Sequence, residues 1–240
     1  IGGRYGFGAQ DLRDLIAEEA NGWPSLGIVC VENTLGAAGG MVWPLDELGQ
    51  LRAAAGTTPI HLDGARLWNA HAASGASLAE LASPADTVST CLSKGLGAPA
   101  GAVLSGSSEV IDAARACRYA FGGSMRQSGI LAAAGLHALE HHLERLVDDH
   151  RRAQRLRDGL ADLPGWEVQP GDTNIVLLTI APHLGDAETL AAPLRDAGIL
   201  CYPNTRSELR LVTHLGIDDA RLEEAIVRIR AVVEPRMTDA

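Results

Sequence analysis

Short runs of β-forming residues alternate with stretches of helical spacing along this chain, and no other feature limits its fold as strongly. Strands are expected at 28–31, 59–62, 87–92 and 102–104, with a helix at 45–55 between the first two. Elements in that order pack as an α/β layer structure, because the apolar face of a sheet and the apolar stripe of a helix cover each other. The run Gly27-Ile28-Val29-Cys30-Val31 is apolar without interruption, as in a strand covered on both faces, and it ends in the polar Glu32-Asn33-Thr34. In open α/β sheets such strand ends are where ligands bind.

Further along, Leu136, Leu139, Leu143, Leu146 and Val147 recur at helical spacing until Pro164-Gly165 stops the pattern. This predicts one long helix, or two in line, from 127 to about 160. Strand signals at 174–180, 199–202 and 209–213 then alternate with helical stretches at 186–197 and 218–233, which describes a smaller α+β domain. No repeat, low-complexity tract or linker interrupts the chain, so the boundary is placed inside the helical region, giving domains 1–148 and 149–240.

Composition narrows the function classes. Hydrophobic residues make up 46% of the chain and aromatic residues only 4%, which suits an aliphatic core in a soluble globular protein. The longest apolar runs, such as 175–180, fall far short of the roughly 20 residues of a membrane helix. The opening Ile1-Gly2-Gly3-Arg4-Tyr5-Gly6 has neither an apolar signal region nor a cleavage site, so nothing indicates secretion. A net charge of −10 argues against a nucleic-acid partner, since phosphate-backbone binding depends on clustered Lys and Arg. The one basic cluster, Arg151, Arg152, Arg155 and Arg157, is interleaved with Asp148, Asp149 and Asp158 and reads as a solvated helix face. Cys30, Cys91, Cys117 and Cys201 are far apart, which argues against a zinc or redox site and for buried free thiols in a reducing cytoplasm.

Two segments carry chemistry. Ile60-His61-Leu62-Asp63-Gly64-Ala65-Arg66 places an acid at a strand end, followed by glycine and arginine. The segment 87–99, ending Cys91-Leu92-Ser93-Lys94-Gly95-Leu96-Gly97-Ala98-Pro99, delivers one lysine into a glycine-rich turn. A lysine that reacts with a carbonyl must be held at a fixed point and partly desolvated so that its amine can react, and a strand end flanked by Ser and Gly suits this. Pyridoxal phosphate (PLP) also needs an acid at its pyridine nitrogen, because a protonated ring is the better electron sink. Asp63 is the candidate.

Leu62-Asp63-Gly64-Ala65-Arg66 followed by the Lys94 segment resembles the low-specificity L-threonine aldolases, which are PLP enzymes of fold type I. Glu32-Asn33-Thr34, Gly122-Gly123-Ser124-Met125-Arg126-Gln127-Ser128-Gly129, Arg145-Leu146 with Asp149-His150, Asp172-Thr173-Asn174 and Arg210-Leu211-Val212-Thr213-His214 match the same family, in order along nearly the whole chain. The resemblance implies a PLP-binding large domain, lacking its N-terminal segment, joined to a small α+β domain. It implies that Lys94 carries the cofactor, that Asp63 pairs with the ring nitrogen, and that Arg66 and Arg210 grip the substrate carboxylate. Arg126 is expected near the cofactor, serving the phosphate of a neighbouring subunit in a homodimer or homotetramer. The implied reaction is cleavage of a β-hydroxy-α-amino acid, such as threonine, allo-threonine or phenylserine, to glycine and an aldehyde.

Two departures stand out. The family carries its Ser/Gly/Thr phosphate cup and ring-stacking histidine ahead of the region that matches Ile1, and neither has a match here, so this chain alone is expected to hold PLP weakly or aggregate. After Glu32-Asn33-Thr34, where these enzymes commonly carry a histidine facing the β-hydroxyl, this chain has Leu35. An apolar residue cannot take that proton, so a weaker reading of the β-carbon configuration is expected. Outside the aldolases, a related PLP-dependent β-eliminating lyase would use the same Asp63, Lys94 and Arg210, and a non-catalytic subunit or fragment would keep the fold without the chemistry.

Other motifs fall away on chemistry. Gly95-Leu96-Gly97-Ala98-Pro99-Ala100-Gly101 misses the dinucleotide-binding spacing by one residue and carries a proline where a helix should start. His137-Ala138-Leu139-Glu140-His141 fits a metalloprotease pattern, but its neighbours His142 and Glu144 suggest a wet helix face. No metal is expected. His61 is assigned a structural role, and Trp43, Trp68 and Tyr202 are assigned to packing in the core or at an interface.

Overall fold

The computed structural model describes residues 6–19, 21, 22 and 24–238. The segment 1–5, read above for a targeting signal, lies outside them. The chain forms two compact units: the first ends at Thr34 and resumes as Val42–Leu146, and the second combines Leu35–Met41 with the chain from Val147.

The first unit is built on a four-stranded sheet of β1 (Val29–Glu32), β2 (Ile60–Gly64), β3 (Thr87–Cys91) and β4 (Ala102–Gly106), in that spatial order. The first three strands are parallel and β4 is antiparallel to β3. Its helices are α1 (Ala9–Glu19), α2 (Leu45–Ala55), α3 (Leu67–Ser74), α4 (Leu78–Ala82), α5 (Ser108–Ala120) and α6 (Gly129–His141). Strand side chains alternate between faces. Val31, Ile60 and Leu62 therefore pack on Leu48 and Leu51 of α2 and Leu81 of α4. A capping box of Ser77 and Glu80 starts α4 by satisfying the free N–H groups of its first turn. The register Cys30↔His61↔Thr87 and Glu32↔Asp63↔Ser89 puts polar side chains together on the opposite face. All of β4 is exposed, and α5 buries none of its residues.

The second unit holds α7 (Leu146–Leu160, from its second residue), an antiparallel sheet of β5 (Trp166–Val168), β6 (Ile175–Ile180), β8 (Glu208–Val212) and β7 (Tyr202–Thr205) in that spatial order, and helices α8 (Ala187–Asp196) and α9 (Asp219–Thr238). On one face, Val176, Leu178, Leu209 and Leu211 join Leu156, Leu160, Leu190, Leu194, Leu222, Ile226 and Ile229 in a single aliphatic core. On the other, the loop Leu35–Met41 lies against Ile175 and Leu177, with Gly39 and Gly40 both at φ +72°. A Cβ on Gly40 would collide with Thr173 Oγ1, whose hydroxyl donates to Gly40 O at 2.7 Å. This position therefore requires glycine.

Several expectations need correction. Gly27–Val31 is not covered on both faces: Ile28 and Cys30 are exposed, because the strand alternates. None of the four free cysteines is fully buried; Cys30 and Cys117 are exposed, and Cys91 and Cys201 are half-buried. Of the two arrangements expected for the helical region, one long helix or two, it forms two, α6 and α7, with a break at His142–Arg145. The strand expected at 199–202 begins only at Tyr202, and Tyr202 is exposed rather than part of the core. The basic cluster is not uniformly solvated. Arg151, Arg152 and Arg155 pair with Asp219 and Glu223, but Arg157 is buried and donates to Thr173 O at 3.1 Å and Ile175 O at 2.7 Å. Burial pulls this guanidinium below its ordinary range, against the opposing pull of Asp172 and Asp158. Burial, with Arg157 adding to it, also depresses His150 to about 4. Among the described residues no helix is long and apolar enough to cross a membrane.

Candidate active site

Because β2 and β3 run parallel, their C-terminal ends lie side by side, and both chemistry-bearing segments emerge at that edge. At the end of β2, Asp63 is exposed; its Oδ1 accepts from Ala65 N–H at 3.0 Å and its backbone carbonyl from Asn33 N–H at 2.9 Å. Its Oδ2 has no hydrogen-bond partner among the described residues. One side chain behind it on the same face, His61 contacts Thr87 Oγ1 through Nδ1 at 2.8 Å and Ser89 Oγ through Nε2 at 3.4 Å. Those contacts fit the structural role expected of His61, and they leave the Asp63 carboxylate facing outward.

Lys94 follows β3 by three residues and, against the partial desolvation expected of it, is exposed, with no hydrogen bond or ion pair on its amine among the described residues. Its backbone, by contrast, is tightly held. Gly97 N–H donates to Lys94 O at 2.9 Å, Ala98 N–H to Leu92 O at 3.0 Å, and Leu92 N–H to Gly101 O at 2.9 Å. A Cβ on Gly95 would lie 2.8 Å from Leu146 Cδ2 and 3.1 Å from Asn69 Oδ1, so the turn needs glycine there for close approach. Leu96 is fully buried with Ala98, Ala138 and Leu146, and the indole N–H of Trp68 donates to Cys91 O at 3.0 Å. The turn is thus a rigid mount with a free amine on top.

Arg66, at the start of α3, lies 3.8 Å from Glu32 and is largely buried. Glu32 is in turn held by Trp43, whose indole N–H donates to its backbone carbonyl at 3.1 Å. Arg126 is exposed in the turn between α5 and α6, next to Gln127 at φ 53°. In the second unit, Arg210 sits on β8 opposite Leu177, the residue that Gly39 lies against. Leu35 is half-buried at the mouth of that loop, where its N–H donates to Met41 O at 2.9 Å. The structure therefore brings Lys94, Asp63 and Arg66 to one unit and sets Leu35 and Arg210 on one face of the other unit's sheet.

Two contacts were not legible in the sequence. His142 is not on a wet helix face: it is half-buried, and its Nδ1–H donates to Leu96 O at 2.6 Å, 46 residues away. Asn69, fully buried beside Gly95, is the other. Neither lies in a local motif, and only long-range packing reveals them. No group of three or more His, Cys, Asp or Glu among the described residues is arranged to hold a metal.

The residues present fit a planar cationic ring bound through an aldehyde. A free lysine amine could bond the aldehyde carbon, and an outward carboxylate oxygen at the same sheet edge could hold the ring N–H.

A family model described as Beta-eliminating lyase matches residues 6–183. The chain is 38% identical over 198 residues to low-specificity L-threonine aldolase 1 of Arabidopsis thaliana, covering 80% of this chain and 55% of that protein. It is likewise 38% identical over 172 residues to the low specificity L-threonine aldolase of Escherichia coli K12, covering 72% and 50%. This chain therefore spans about half the length of the curated relatives it matches. The solved threonine aldolase of Leishmania major superposes with a TM-score of 0.75 over 98% of this chain and 69% of that one; at 18% identity this supports the fold alone.

Proposed function

From the premise that the chain belongs to the Beta-eliminating lyase family, we propose that it is the lysine-bearing part of a PLP-dependent aldolase that cleaves β-hydroxy-α-amino acids to glycine and an aldehyde. The observation that carries this reading is the unpartnered Lys94 amine, mounted on a rigid turn at the sheet edge that also presents Asp63 Oδ2. Relatives that are themselves low-specificity L-threonine aldolases support the reaction and the substrate class.

In this reading Lys94 holds the cofactor through its amine, and Asp63 keeps a proton on the ring nitrogen. When bound, PLP supplies the electron sink that accepts the pair released as the Cα–Cβ bond breaks. Arg66 and Arg210 are the residues that would bind the substrate carboxylate, because the planar guanidinium fork matches its two oxygens and would limit the substrate's rotation. Glu32, 3.8 Å from Arg66, keeps that guanidinium in place until a substrate carboxylate takes over part of the contact. Arg126 serves the cofactor phosphate of a neighbouring subunit. Leu35 faces the β-substituent and cannot accept the β-hydroxyl proton, which passes to another group or to water. The first unit acts as the large cofactor domain and the second as the small domain. The protein works as a homodimer or homotetramer in the cytoplasm; Tyr119, Phe121, Met125 and Ile130, all exposed, support an interface at that end of the first unit.

The test is product analysis with threonine, allo-threonine and phenylserine, on the wild type and on Lys94→Ala. Glycine and an aldehyde from the wild type, lost by orders of magnitude in Lys94→Ala, are the expected result. Undiminished turnover in Lys94→Ala would sink the reading. Ammonia and a keto acid would instead support the β-elimination for which the matched family is described.

A further inference from the structure

We propose that His142 is a positioning residue that sets the geometry of Lys94 by pinning the Leu96–Gly97 peptide; the inference rests on the reading of Lys94 given above. His142 Nδ1 contacts Leu96 O at 2.6 Å. A carbonyl has no proton to give, so the ring nitrogen donates. The N–H of the same peptide unit, on Gly97, donates to Lys94 O at 2.9 Å. One peptide plane thus has its C=O tied to His142 and its N–H tied to Lys94, and hydrogen bonds linked through a peptide polarise and strengthen one another.

The pin matters because of what stands next to it. Gly97 has φ +74°, and with no Cβ on glycine a peptide plane at such a position rotates at little cost. The buried Leu96 side chain fixes where the turn sits but not which way the following peptide points. Rotation of that plane would remove the bond to Lys94 O and redirect the lysine's backbone, and its side chain would turn with it.

The ring is itself held for this task. His142 caps α6, with its own N–H donating to Ala138 O at 2.8 Å, and the His137 ring stands edge-on to it at 5.3 Å. On either side of it, Leu139 and Leu143 pack against the cluster that contains Leu96. Lys94 has no hydrogen bond or ion pair on its amine among the described residues, so its backbone is what fixes the point and the Cα–Cβ direction from which the side chain departs.

A pair of variants separates this role from simple packing, since both lose the ring. In His142→Asn the amide nitrogen falls near the place of Nδ1 and can still reach Leu96 O. In His142→Gln it falls one bond farther out. In the cofactor-loaded protein, His142→Gln should lower kcat about tenfold with KM within about twofold, because misplacing a reacting group costs rate rather than uniform binding. It should also slow borohydride trapping of PLP on Lys94 and speed amide hydrogen exchange of segment 94–98. His142→Asn should stay within about threefold of wild type on all three readouts, since it keeps the bond.

Equal losses in the two variants would overturn the proposal. So would faster exchange in His142→Gln with kcat unchanged, because the bond would then be structural only. Wild-type protein that traps no PLP on Lys94 would count against the functional reading, while the exchange contrast between the variants would still decide whether His142 pins the turn.

Discussion

The two sheets treat their faces differently. In the second unit, every residue of β6 except Thr179 is buried, between an aliphatic core on one face and the Leu35–Met41 loop lying on the other. In the first unit, one face of β1–β3 is as apolar, but the opposite face carries Cys30, Glu32, His61, Asp63, Thr87 and Ser89, partly or fully exposed. Burying both faces of a strand such as β6 gives stability and, Thr179 aside, leaves it no polar side chain for chemistry, so the second unit's candidate is Arg210 on the neighbouring β8. The sheet with one polar face keeps its carboxylate and lysine accessible and is stabilised through the other face. Changes on the polar edge of the first sheet should therefore alter rate, and changes inside the second unit should alter stability.

The largest contrast is expected from Asp63→Asn. An amide cannot keep the ring nitrogen protonated, so turnover should fall by about a hundredfold or more while the thermal midpoint stays near wild type. A large drop in the midpoint with normal turnover per folded molecule would reverse the assignment of the two faces. Arg210→Lys comes next, at the point where the second unit is proposed to touch substrate. It keeps the charge and loses the bidentate fork, so KM for amino-acid substrates should rise about tenfold, with a smaller fall in kcat. Unchanged kinetics would confine the chemistry to the first unit.

The interior of the second unit should respond to pH. His150 titrates near 4 in the folded protein, against about 6.5 when unfolded, so the unfolded chain binds more protons between those values. Stability attributable to this histidine is present above pH 6.5 and is lost as pH falls toward 4, by at most about 3 kcal/mol. Denaturant unfolding between pH 6.5 and 5, above most carboxylate titrations, should show this slope, and His150→Gln should flatten it. An identical slope in the variant would remove His150 as its source. The smallest effect is expected from Leu35→His, which should sharpen the choice between threonine and allo-threonine by several-fold through a new contact to the β-hydroxyl. If the wild type already prefers one diastereomer sharply and the histidine changes nothing, Leu35 does not face the β-carbon.

What was legible in the sequence follows the range of the interactions. Asp63 and Lys94 stood out because strand ends and glycine turns are local patterns, and the helix at Leu45–Ala55 was visible for the same reason. Cys30 misled because residue type was taken for burial: the β1 run is apolar in letters, yet a strand turns every second side chain to the other face whatever its hydrophobicity. Arg157 misled in the opposite direction, since only the backbone carbonyls of Thr173 and Ile175 make its burial tolerable, and they lie 16 and 18 residues away. The loop Leu35–Met41 gave no sign of belonging with the second unit. Its anchor is the bond from Thr173 to Gly40 O, which spans 133 residues. α5 went unread although its apolar and polar residues segregate as in an amphipathic helix; the structure leaves all of its residues short of burial.

The most direct test of the account is to load the protein with PLP, reduce it with borohydride and map the added mass by peptide mass spectrometry. The account predicts one reduced cofactor, carried on Lys94, and none in Lys94→Ala. Lys94 is the chain's one lysine, so no stoichiometric labelling, labelling of the α-amine instead, or labelling that persists in Lys94→Ala would contradict the assignment of the open sheet edge as the working site.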